Sequence, residues 1–175
     1  VDARKSLITA RKVVEAGGAV VIFPEGTTTH DPQLWPMQAR TGAARLALST
    51  GAPVYPVAHW GDEQILGYVD EPGEDGRVKE KRKVSLFPRK TVRVKVGPAL
   101  DIASLVADPS PEAKHTRTEL GVVTDAMLDA ITAELEEIRG EKAPEGRWNP
   151  RTKRREAPGT PSGPVGGALG EPDAK

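Results

Sequence analysis

Apolar positions recur along this chain with two periods, one helical and one extended. Leu7, Ile8, Ala10, Val13 and Val14 fall among Arg4, Lys5, Arg11, Lys12 and Glu15. That spacing predicts an amphipathic helix over 3–16, with Asp2 as its N-cap and Gly17-Gly18 as its stop. The apolar run 19–23 then ends at Pro24 and reads as a buried strand emptying into a loop that lasts to about Gln38. Ala43, Ala44, Leu46, Ala47 and Leu48 mark a second helix over 40–50, closed by Gly51. Residues 53–60 alternate with β-branched side chains and read as another buried strand. Strand, helix and strand in this order imply a parallel βαβ unit with a right-handed crossover. Thr91 to Val96 alternates strictly, Val92, Val94 and Val96 against Arg93 and Lys95, which predicts a half-buried strand. Leu120, Val123, Met127, Ile131, Leu135 and Ile138 recur at three- and four-residue steps and predict a long helix ending near Gly140. The expected fold class is α/β, a mixed, mainly parallel sheet flanked by helices.

Two stretches lack either period. Residues 70–76 are turn-rich, and in 79–83 four of five side chains are cationic. Beyond 140 the chain is biased toward proline and glycine, with Pro158, Gly159, Pro161, Gly163, Pro164, Gly166 and Gly167 offering nothing to bury. The domain is therefore set at 1–140, and 141–175 is expected to be a largely disordered tail. Composition narrows the function classes. Lys+Arg 25 against Asp+Glu 25 leaves no net charge, and aromatic residues do not cluster, which disfavours nucleic-acid binding. The absence of cysteine excludes disulfide and thiol chemistry. No run approaches the roughly 20 apolar residues that span a bilayer. No His/Asp/Glu set has metal-ligand spacing, so no metal is expected. The chain starts at Val1 without a signal peptide, which reads as a fragment or a processed chain.

Chemistry concentrates where the 19–23 run ends. Phe23-Pro24-Glu25-Gly26-Thr27-Thr28-Thr29-His30 puts a carboxylate, a glycine and three hydroxyls in succession. Glycine permits close backbone approach, its neighbours' N–H groups form an anion-binding nest, and threonine hydroxyls add donors. Glu25 would orient those donors or accept from a substrate hydroxyl. The competing reading is a strand-terminating turn in which Glu25 and the threonines only cap neighbouring backbone. No nucleotide-binding glycine pattern is present.

Phe23-Pro24-Glu25-Gly26-Thr27 resembles the F-P-E-G-T-R signature of the lysophosphatidic acid acyltransferase (PlsC-like) family. Asp31 to Met37 and Arg40 to Leu48 are similar to the segment after that signature in a bacterial branch of the family. Ala52-Pro53-Val54-Tyr55-Pro56-Val57 is similar to its V-P-x-x-P-V block, and Trp60-Gly61 and Pro88 to Val92 also match that branch. The likeness runs over about residues 1–151. It implies a glycerolipid acyltransferase-like fold and transfer of an acyl group from acyl-CoA or acyl-carrier protein to a lysophospholipid hydroxyl, with no cofactor. It places Glu25, Gly26 and Thr27 at the acceptor site. It also implies a chain peripheral to the cytoplasmic face of the cell membrane.

The departures matter as much. In the family a histidine of an H-x4-D block acts as base, oriented by the aspartate. Here five positions after His30, His59 and His115 stand Trp35, Gln64 and Leu120, so no catalytic residue is assigned. The block is expected upstream, which makes the domain N-terminally incomplete. Thr28 stands where the signature has arginine, and a hydroxyl lacks the charged fork that suits phosphate. Arg40 and His30 are the candidates to supply that charge. The alternative reading is a non-catalytic lipid-phosphate-binding or interaction protein derived from the family. Lys79, Lys81, Arg82, Lys83, Arg89 and Lys90 are either a head-group-attracting patch or a solvated loop. Trp35 and Met37 either meet an acyl chain or pack in the core.

Overall fold

The computed structural model describes residues 3–72 and 78–158, with the backbone alone at 3–4, 68–72 and 78–82. The expected N-cap Asp2, the turn at 73–77 and the tail from 159 lie outside the described residues. Helix α1, Ala3–Glu15, and helix α2, Gly42–Thr50, are followed by strand β1, Val57–Trp60. Strands β2, Leu66–Pro72, and β3, Val78–Val84, precede β4, Arg93–Val96. Helix α3, Arg117–Arg139, leads to strands β5, Arg147–Asn149, and β6, Arg154–Glu156.

The helices form where the apolar period predicts them, and their ends are chemically explicit. Thr116 accepts from the Glu119 N–H while the Glu119 carboxylate accepts from the Thr116 N–H, a reciprocal capping box at the start of α3. Gly140 and Gly51 close α3 and α2 in the left-handed conformation. Ala44, Ala47 and Leu48 of α2 pack on Leu120, Val123 and Met127 of α3, with Val54, Leu100 and Leu105 around them. A second cluster joins Trp35, Ala58 of β1 and Leu135 of α3, with Trp60, Ile131 and Ile138 against it. Trp35 and Met37 are thus core residues.

The strands differ from expectation. Three two-stranded antiparallel sheets form among the described residues, β1–β4, β2–β3 and β5–β6, and no parallel βαβ unit is among them. Residues 19–23 form no strand; Val21 is 86% and Phe23 66% exposed. An apolar, β-branched run is strand-competent, but a strand exists only with a partner, and no described segment pairs with it. Residues 57–60 pair instead with β4, Val57 opposite Val96 and Trp60 opposite Arg93. The alternation of β4 is correct in period and reversed in burial. Lys95 faces α3 and pairs with Glu134 and Glu137, while Val94 (63% exposed) and Val96 face outward. Acids on α3 draw the cationic face inward. The region read as a charged loop is the β2–β3 hairpin, with Glu71 in register with Lys79. Residues 147–156, placed in the tail by composition, are the β5–β6 hairpin, and its Arg147 and Asn149 are buried.

Candidate functional site

The segment 24–40 is a loop tied at its root. The Arg40 N–H donates to the Pro24 carbonyl (3.1 Å), and the Met37 N–H donates to Glu25 Oε2 (3.2 Å). Glu25 is half-buried, and burial pushes its carboxyl up to about 7. The Met37 N–H opposes that shift, Asp31 adds to it, and His59 opposes it. Gly26 turns the chain with a φ of 73°, its N–H donating to the Phe23 carbonyl at 3.0 Å. A Cβ at Gly26 would meet nothing within 4 Å, so the backbone there is open to a ligand. Thr27, Thr28, His30 and Arg40 are exposed around the same turn.

Sequence reasoning therefore names a set of residues that the structure keeps on one loop, though in two roles. Glu25 does part of what the bland reading asks of it, since it caps its own loop's backbone. Gly26, Thr27 and Thr28 lie on the outward turn. Arg40 sits at the root, just before the α2 N-cap Thr41, and contributes its backbone to the closure. Thr29 turns the other way: its hydroxyl donates to the Trp35 carbonyl at 2.8 Å and accepts from the Asp31 N–H.

What sequence reading missed is the loop's anchor. Asp31 is 2% exposed and accepts from the Gln33 and Trp35 N–H groups. Both of its carboxylate oxygens accept from Arg155 Nη2, at 2.7 and 2.6 Å. The same nitrogen donates to Gln33 Oε1 at 2.9 Å. The Gln38 N–H donates to the Trp148 carbonyl (2.9 Å), and the Gln38 amide donates to Glu156 (3.1 Å). The hairpin is in turn pinned to α3, where Arg147 donates to Asp125 (2.6 Å) and pairs with Asp129. Arg139 stacks on both Trp35 and Trp60, about 4 Å from each ring centre, and donates to the Gln33 carbonyl. No local pattern betrays these partners, because Arg155 meets an acid 124 residues earlier.

The structure also makes a His–Asp pair, His59 Nδ1 to Asp62 Oδ1 at 2.8 Å, with a three-residue spacing. It lies downstream of the loop; the Phe23 and His59 rings meet at near right angles, 6.3 Å between centroids. Among the described residues no group of three or more His, Asp or Glu side chains is disposed to hold a metal ion. No described helix is long and apolar enough to cross a membrane.

Residues 1–60 match the family model described as Acyltransferase. No curated protein and no solved structure matches the chain. The matched segment contains α1, the 19–23 run, the whole 24–40 loop, α2 and β1. It supports an acyltransferase, and hence a transferase, at that level of description.

Proposed function

We propose that the 24–40 loop holds the acceptor of an acyl transfer. In this reading the acceptor is the glycerol phosphate of lysophosphatidic acid or a similar lysophospholipid, and acyl-CoA or acyl-carrier protein is the donor. The fold it belongs to is a glycerolipid acyltransferase-like α/β domain working peripherally at the cytoplasmic membrane surface. The observation that carries the reading is the Gly26 turn. Open backbone and the Thr27 and Thr28 side chains lie on the outward turn of a loop whose root is tied, inside the segment that matches an acyltransferase model. An exposed N–H and hydroxyl such as those of Thr27 suit phosphate oxygens. Arg40 supplies the charge that Thr28 cannot. The base that takes the acceptor's proton is the H-x4-D histidine, which these residues do not include.

The test is binding and turnover measured together on residues 1–175. Lysophosphatidic acid is expected to bind saturably, shifting the backbone amides of 26–29, and to show no turnover with acyl-CoA. Arg40→Ala should weaken that binding more than Thr28→Ala, by about tenfold for a lost charge-assisted contact. Absence of shifts at 26–29, or equal effects of the two substitutions, would remove the loop or Arg40 from the acceptor site. Turnover by these residues alone would show that a base other than the H-x4-D histidine serves. Equal binding of lysophosphatidylcholine would argue against recognition of a phosphomonoester.

A further inference from the structure

On the opposite face of β1 from His59, the chain builds a cleft that the acyl-transfer reading does not use. Its volume is about 270 Å³, and it is lined by Trp60, Gln64, Arg89, Lys90, Thr91 and Arg93. Three of these six residues are cationic and none is acidic. We propose that this cleft is a second anion site, built for a phosphate-class dianion.

The surroundings leave the charge unbalanced. Among the described residues no carboxylate pairs with Arg89, Lys90 or Arg93, while nearby acids are engaged elsewhere. Asp62 holds His59 at 2.8 Å, and Glu63 accepts from the Gly61 N–H at 2.8 Å. Glu134 and Glu137 take Lys95, and Glu141 takes Arg139. Arg93 gives one N–H to the Ile138 carbonyl at 3.3 Å, a small part of a guanidinium's five donors. Three like charges gathered without a counter-charge repel one another, and a bound dianion reverses the sign of that interaction. The Thr91 hydroxyl adds a neutral donor, and so does the Gln64 amide through the N–H that it does not give to Glu63 Oε1 at 3.4 Å.

The cleft is also held in shape. Gly61 has a φ of 103°, and the Thr91 carbonyl oxygen lies 2.2 Å from where a Cβ would stand. The 89–92 segment is therefore pressed against the end of β1 in a way that only glycine permits. The floor is fixed by Arg139, stacked 4.1 Å from the centre of the Trp60 ring. The cleft and the acceptor loop share no residue, so either site can stand without the other.

Two sources of the same chemistry are separable, a soluble phosphate ester and a lipid-borne phosphomonoester. The 175-residue chain is titrated with inorganic phosphate at constant ionic strength against chloride, and amide and indole spectra are recorded. In parallel it is floated with phosphatidylcholine vesicles with and without phosphatidic acid. Saturable shifts at 89–93 and at the Trp60 indole are expected, weakened about tenfold or more in Arg89→Gln/Lys90→Gln. Neither side chain has a partner among the described residues, so the variant should fold, and unchanged spectra elsewhere check that. Lys12→Gln, on exposed α1, should bind as the parent does. Phosphate binding that the variant loses identifies a soluble source. Phosphatidic acid-dependent flotation that the variant loses, without a response to free phosphate, identifies a lipid-borne one. The proposal is overturned if neither occurs, or if the variant responds as the parent does.

Discussion

The two halves of the 24–40 loop are adjacent in sequence and opposite in construction. From Gly26 to Thr28 the chain is exposed, the Gly26 N–H donates to the Phe23 carbonyl, and a side chain added at Gly26 would meet no neighbour. From Asp31 to Met37 it is a polar and aromatic knot, buried at Asp31, Trp35, Pro36 and Met37. Asp31 is clamped by Arg155, Trp35 sits in the β1–α3 cluster under Arg139, and Met37 is 1% exposed beside Trp148. A binding loop needs both halves. Free backbone donors are useful to a ligand only if their positions are fixed beforehand, because ordering them at the moment of binding costs conformational entropy. The back half fixes; the front half presents.

The largest effect should come from breaking the anchor. Arg155→Ala leaves Asp31, whose side chain has no exposed area, with two backbone donors and no counter-charge. Removing one partner of a buried pair costs about 3 kcal/mol, because the charge left behind is uncompensated. Urea denaturation should show that loss, and lysophosphatidic acid binding should fall with it. If stability is unchanged, the hairpin is decoration and the two halves are independent. Asp31→Asn combined with Arg155→Gln should recover much of the stability, since neither charge is then stranded.

That anchor is also where sequence reading was least able to see. Helices α2 and α3 were legible because their apolar residues repeat at the helical period and each ends at a glycine, Gly51 and Gly140. The outward turn was legible because Glu25, Gly26 and Thr27 are contiguous. The β5–β6 hairpin is Arg147-Trp148-Asn149 against Arg154-Arg155-Glu156, a polar pattern that composition assigns to solvent. Its burial comes from Arg147 on Asp125 and Arg155 on Asp31, partners far away in the chain. Periodicity cannot encode such pairs. The same limit explains 19–23 and β4, whose apolar residues announce strands but not what would cover them.

A smaller effect is expected in the front half. Gly26→Ala puts a side chain in the left-handed conformation without any steric clash, at a cost of about 1 kcal/mol. Ligand binding should fall by more than that cost accounts for, because the methyl occupies the approach to the exposed backbone. A loss of stability comparable to that of Arg155→Ala would show that the front half is also structural. Unchanged ligand binding would move the acceptor off this turn.

The smallest effect lies at the seam, where Glu25 joins the halves through the Met37 N–H. Its carboxyl ordinarily releases its proton near 4.5, and in the folded loop burial raises that to about 7. Between those values the folded chain keeps a proton that the unfolded chain has lost. The contribution of Glu25 to stability therefore falls as pH rises from about 4.5 to about 7 and is flat above that window. Glu25→Gln keeps a carbonyl acceptor for Met37 and cannot ionise. Its melting temperature should lose this part of the pH slope, measured from about pH 4.5 to about pH 8 against the parent. An identical slope in both proteins would mean that Glu25 titrates as a surface carboxylate. The two halves would then meet in solvent rather than at a shielded contact, and Glu25 would be charged throughout the range in which the loop is asked to hold an anion. The direction matters for the acceptor reading, because a neutral Glu25 can donate to a phosphate oxygen and an ionised one can only repel it.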